Sequence, residues 1–189
     1  MHDIIPHYNW LEIYNSYTDK KSPFYGVNHD EFTFRNTIYN HYIHPDWDEF
    51  GSATLYLKIL YTDYEKQFSI IELIGEWNDC LYNDIMYLER NIAEHLAGYG
   101  IRYFILVGEN VLNFHYSEDD YYQAWLDELE GGWIVAVNFR DHVVTEFRKA
   151  HIDHYLNFLG TIEELRWRTY TPVQLFELVK HLMTHQLNE

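Results

Sequence analysis

Cysteine is almost absent from this chain of 189 residues, with Cys80 the only one. A single thiol excludes an internal disulfide framework and any CxxC zinc or redox motif. As a nucleophile Cys80 needs a histidine and a polar orienter, and its sequence neighbours supply neither. A small apolar role at a strand-to-helix junction is the expectation. Positive charge is scarce too: 13 Lys and Arg stand against 30 Asp and Glu, a formal net charge of -17. That balance excludes nucleic-acid binding by phosphate neutralisation. Long apolar runs are missing, since the longest, such as Tyr103 to Val107, are only strand-length. No membrane span is therefore predicted, and Met1 to Pro6 lack the pattern of a signal peptide, so a cytoplasmic location is expected. GxGxxG, GxxxxGK[ST], GxSxG and HExxH are all absent. Nucleotide-dependent enzymes, serine hydrolases and that class of zinc protease thereby lose their signatures, and no cofactor is implied.

Aromatic side chains are abundant, at 19% of the chain with 18 Tyr, 11 Phe and 6 Trp. This richness excludes intrinsic disorder despite the charge. Three regions follow. Residues 1–52 hold 12 aromatics but no sustained period, and Pro6, Pro23, Gly26, Pro45 and Gly51 interrupt them. They read as an aromatic arm, in which Tyr8, Trp10, Tyr14 and Tyr17 share a face of one short helix. Such an arm packs on its own domain or on a partner chain, and homodimerisation through it is expected. Residues 53–160 form the core domain and residues 161–189 a helical extension.

From Thr54 the pattern alternates between strands and helices. Leu55, Leu57 and Ile59 mark one face of a strand, and Phe68 to Gly75 form a second after the polar turn Asp63–Gln67. Leu81, Ile85, Leu88, Ile92 and Leu96 recur at helical spacing, with Asn78 or Asp79 as cap. Ile101 to Val107 is a strand buried on both faces. Ser117-Glu118-Asp119-Asp120 resembles a capping box opening a helix with Tyr122, Trp125, Leu126 and Leu129 inward. Trp133 to Val137 is another buried strand, and Val143, Phe147 and Ala150 mark the next helix. Two further capping boxes stand at Thr161–Glu164 and Thr171–Gln174, the second with Pro172 at the first helical position. The fold class is α/β, a mixed sheet in ββαβαβα order with right-handed crossovers.

In such a sheet, ligands gather beyond the carboxyl ends of the parallel strands. Glu76, Asn78, Asp79, Glu109, Asn110, Asn113, His115, Arg140 and Asp141 are predicted there. As an enzyme the chain would use Glu76 or Glu109 as general base, with His115 and Arg140 handling substrate charge. The competing reading makes Asn78, Asp79 and Asp141 helix caps and the others loop residues, and it is preferred. His41, His44 and Asp46 form a candidate metal set, with weaker spacing at His151-Ile152-Asp153-His154 and at His181 with His185. With 12 histidines, close pairs arise by chance, and surface or capping roles are preferred for all of them.

The charge concentrates centrally: residues 53–160 carry 18 acids and 7 bases, and no Lys or Arg occurs between Arg102 and Arg140. Glu118, Asp119, Asp120, Asp127 and Glu128 lie in that gap. They predict an acidic face for a basic protein partner, with association steered at low salt.

Residues 54–159 resemble the STAS domain of the anti-sigma-factor antagonist type. The resemblance is carried by the element order, by Ile70-Ile71-Glu72-Leu73-Ile74-Gly75-Glu76-Trp77-Asn78, and by Ile101 to Val107 followed by Glu109-Asn110-Val111. In that family a strand of the latter kind leads to a D-S-S-G turn with a phosphorylated serine at a helix N-terminus. The comparable segment is His115-Tyr116-Ser117-Glu118-Asp119, with acids where the family has glycine. The resemblance implies a non-enzymatic regulatory or protein-interaction domain in which Ser117 is the regulatory position.

Overall fold

The computed structural model describes residues 4–30, 32–159 and 165–186. Its centre is a five-stranded mixed sheet, with a separate two-residue pair formed by β1 (Thr37–Ile38) and β2 (His41–Tyr42). β3 (Leu55–Asp63) runs antiparallel to β4 (Phe68–Asn78), and β5 (Tyr103–His115), β6 (Trp133–Val137) and β7 (Leu156–Leu159) follow in parallel, in sequence order. The β3–β4 turn is tied by the Asp63 carboxylate, which accepts from the backbone N–H groups of Glu65 and Lys66.

Alternation along each strand sends side chains to two faces. Leu57, Leu73, Phe104 and Leu106 join the core that holds Ile85, Leu88, Trp125 and Phe147 from the crossover helices. Those helices are α1 (Asp79–Tyr82), α2 (Asp84–Leu88), α3 (Glu94–Gly98), α4 (Asp120–Glu128) and α5 (Asp141–Lys149). Parallel strands added in one direction with crossovers of one hand place every crossover helix on the same face. The other face presents Phe68, Ile70, Ile105, Val107, Val135 and Val137, and α6 (Pro172–Gln186) covers them with Leu175, Phe176 and Val179. The arm joins both layers: Phe24 and Phe50 enter the helix-side core, and Trp10 packs with Trp167 beneath α6. Its outer side chains, including Tyr8, Ile13 and Phe32, remain exposed.

Five expectations need correction. Tyr8 to Tyr17 form successive turns and not a helix. The helix expected through Leu81 breaks at Asn83, whose φ of 53° is left-handed, and Leu81 is 74% exposed. Two carboxylates force that break. Asp79 accepts from the Ile85 N–H (2.9 Å) and so starts α2, while Asp84 accepts from the Asn78 N–H (2.8 Å). The chain then continues through a π-helical turn, Glu89–Ala93, into α3. β5 does not end near Val107 but runs to His115, because β4 pairs with it along its whole length. The apolar run marked only the part covered on both faces. The Ser117 capping box is not formed: Asp119 stands at the N-cap of α4, and its carboxylate accepts from the Tyr155 hydroxyl at 2.7 Å. A fifth strand, β7, follows α5 where no strand was expected.

The box at Thr171 does form, with Thr171 N–H to Gln174 Oε1 at 3.0 Å and Gln174 N–H to Thr171 Oγ1 at 3.3 Å. Thr161–Glu164 lies outside the described residues. Among the described residues, no helix is long and apolar enough to cross a membrane.

Candidate functional site

β4 and β5 extend past the remaining strands, and beside their carboxyl ends lies a cavity of about 730 Å³. Glu76 and Asn78 enter from β4, Phe114 and His115 from β5, Cys80 and Leu81 from α1, Glu146 and Lys149 from the last turns of α5, and Ala150 from its C-cap. His115 Nε2 lies 2.9 Å from Glu76 Oε1, which also accepts from the Tyr39 hydroxyl at 2.8 Å. Asn113 Nδ2 donates to the same Tyr39 oxygen at 2.7 Å. Glu76 is thus held by one partner from β5 and one from the arm. Among the described residues its Oε2 makes no hydrogen bond, so that acceptor is available. Glu146 Oε2 accepts from the Phe114 N–H at 3.1 Å, which fixes α5 against the end of β5.

Gly75 makes room for this arrangement. Its φ is 124°, and a Cβ there would sit 2.1 Å from the Thr54 carbonyl oxygen. That carbonyl accepts from the Glu76 N–H at 3.0 Å, so the close approach sets the backbone of the cavity carboxylate.

Asn78 and Asp79 are caps. Asn78 Oδ1 accepts from the Leu81 N–H at 2.9 Å. Asp79 is buried and accepts from Tyr122 (2.6 Å), Trp77 Nε1 (3.1 Å) and the Ile85 N–H. Its carboxyl is pushed up to about 7, chiefly by burial and further by Asp84. Asp84 accepts from the Ser52 hydroxyl (2.6 Å) and the Thr54 hydroxyl (3.0 Å), and burial raises it as well.

Glu109 and Arg140 do not join Glu76 and His115. Glu109 Oε1 accepts from Trp167 Nε1 (2.8 Å) and Asn138 Nδ2 (2.9 Å), its Oε2 meets the Arg168 guanidinium, and Arg140 Nε donates to its backbone carbonyl (3.2 Å). Arg168 also reaches Glu72 (3.3 Å), which is 1% exposed and accepts from the His7 N–H at 2.8 Å. Burial lifts the Glu72 carboxyl to about 7. This cluster fastens the arm and the segment before α6 to the sheet.

Sequence reasoning missed a second polar group under the arm. Asp48, almost fully buried, accepts from Tyr17 (2.8 Å) and lies 2.7 Å from His29 Nε2 and 3.6 Å from Lys58 Nζ. Lys58 donates to the Tyr17 hydroxyl and to the Asp46 carbonyl (3.0 Å), and burial pulls its ammonium below the ordinary lysine range. An isolated Lys in a β-strand pattern carries no signal of such a partner set.

Ser117 is exposed between β5 and α4, as are Glu118, Asp120 and Asp127, whereas Asp119 and Glu128 are half-buried. Glu89, buried in the π-helical turn, is pushed up to about 7 by burial and then by Glu128 and Glu94. His44 Nδ1 lies 3.5 Å from Asp46, but the one three-residue ligand cluster among the described residues is His151, Asp153 and His154. His41 lies on β2 and lines a different depression, with Phe34 and Tyr42.

No protein-family model and no curated protein matches this chain.

Proposed function

We propose that this chain is a ligand-binding regulatory domain, and that the cavity beside β4 and β5 receives a small molecule with a hydrogen-bond donor on an apolar body. The observation that carries this reading is the Glu76–His115 pair, braced by Tyr39 and Asn113, in a concave space of about 730 Å³. Ligand sites have this size, with a largely apolar lining and few convergent polar groups. Phe114, Leu81 and Tyr116 offer the apolar wall, and Glu76 Oε2 the acceptor. A thermal-shift screen of amines, amino acids and hydroxylated aromatics against the wild type and Glu76→Gln tests the proposal. Compounds that stabilise the wild type are expected to lose about tenfold in affinity for the variant, near 1.4 kcal/mol. Equal stabilisation of both proteins, or no stabilising compound, overturns it.

A second reading follows the resemblance to STAS regulators and assigns the acidic face to a basic protein partner. Its support is the crowding of Glu89, Glu94 and Glu128: burial raises Glu89 and Glu128, and the carboxylates beside them raise both further. A cationic surface relieves that repulsion and speeds encounter at low salt. If Asp120→Lys with Asp127→Lys leaves retention on a lysine-rich peptide matrix unchanged at low salt, this reading fails.

A further inference from the structure

We propose that His151, Asp153 and His154 form a binding site for a divalent transition cation of the zinc type. The sequence around them is short: α5 ends at Lys149, and Ile152–His154 is a single 3₁₀ turn before β7. His151 stands at its N-cap with a left-handed φ of 60°, and its carbonyl accepts from the His154 N–H at 3.4 Å, which closes the turn and brings the two residues together. The two imidazoles lie nearly parallel, with ring centroids 6.0 Å apart and 20° between planes. The Asp153 carboxylate completes the set, and the three ligand atoms lie within 4.8 Å of one another.

The scaffold is anchored while the ligands face solvent. Ile152, between the ligands, is fully buried in the helix-side core. Tyr155, just after them, stacks on Tyr122 and donates to Asp119. All three ligand side chains are exposed, so an ion has an open approach. Ligands around tetrahedral zinc stand roughly 3.3 Å apart, given metal–ligand bonds of about 2.0–2.2 Å. Side-chain rotation of exposed residues suffices to close the remaining distance.

The donor set selects the ion. Two imidazole nitrogens and one carboxylate oxygen suit zinc and its neighbours, and calcium is disfavoured because it takes six to eight oxygens. Three protein ligands leave a position open for water or a ligand atom. Ala150, directly before His151, lines the cavity described above. The metal site itself does not rest on that cavity having a ligand.

The test uses the full chain stripped with a chelator and then titrated with zinc ion alone by calorimetry. One site per chain at micromolar zinc is expected. His151→Ala and His154→Ala should each weaken it about tenfold or more, since each removes a direct ligand, with a smaller loss for Asp153→Asn. Cobalt gives a second readout, a tetrahedral visible absorption band present in the wild type and lost in the double histidine variant. Circular dichroism checks that the variants stay folded. Equal zinc affinity in the wild type and the double variant, or no saturable site in the wild type, overturns the proposal.

Discussion

At the scale of single residues, three buried carboxyls, Glu72, Asp79 and Glu89, are each lifted to about 7 mainly by burial. A carboxyl with a raised folded-state value binds more protons in the native state than in the unfolded one. Its contribution to stability is fully present below the unfolded value and is lost as pH rises to the folded one. The wild type is therefore expected to lose melting temperature between about pH 4.5 and 7 on account of Glu72 and Glu89. Glu89→Gln should melt near the wild type at pH 4.5 and a few degrees above it at pH 8, as calorimetric scans at the two values will show. A variant that melts no higher at pH 8 refutes this origin of the pH dependence. On Asp84, likewise raised by burial, three donors converge from Ser52, Thr54 and Asn78. Asp84→Ala strands those donors and is expected to cost about 3 kcal/mol in urea unfolding.

At the scale of elements, the junction from β4 into the helices decides where the cavity lies. Gly75 holds a conformation that side chains rarely adopt, against the Thr54 carbonyl. Gly75→Ala is expected to cost more than about 3 kcal/mol and to abolish any ligand response that depends on Glu76. Urea unfolding together with the thermal-shift screen measures both effects. Farther along, Thr171→Ala removes one half of the reciprocal cap on α6 and should cost about 1 kcal/mol.

Strands and helices with a full apolar stripe were legible at this scale, since Leu55 to Ile59 and the Ile85–Leu96 series each show a period and Tyr103 to Val107 is a continuous apolar run. The four-residue β7 was not, because only Leu156 and Leu159 of it are buried. The helix break at Asn83 was hidden for another reason. It follows from Asp79 and Asp84 folding back on the chain, and a capping residue does not announce which N–H it will take.

At the scale of the whole molecule, the arm and α6 are structural parts of one double-layered core. Trp10, Trp167 and Phe176 cover the sheet face opposite the crossover helices, and Phe176 stacks on Phe68 at 4.2 Å. Removing residues from Pro172 onward uncovers Phe68, Ile70, Ile105, Val107, Val135 and Val137 together. The truncated chain is expected to aggregate or to bind a hydrophobic dye, and a soluble, cooperatively unfolding product would contradict this. The inward aromatics of the arm are buried against their own chain, which gives that half of the arm a role without a partner.

The sequence alone determined the α/β class, the alternation of strands and helices from Thr54, the Thr171 cap and the central excess of acid. Each of these is written in local periodicity or composition, which needs no knowledge of distant residues. Only the tertiary structure decided how the candidate residues sort. Register shifts between β4 and β5 near Ile74 and Gly75 place Glu109 level with the Glu72–Ile74 stretch. It therefore sits roughly 10 Å along the strand from Glu76. Glu109 consequently meets Arg168 and Trp167, while Glu76 meets His115 and Tyr39. A one-residue slip reassigns a side chain to a different neighbourhood, and register is set by pairing between strands that no single stretch of sequence contains.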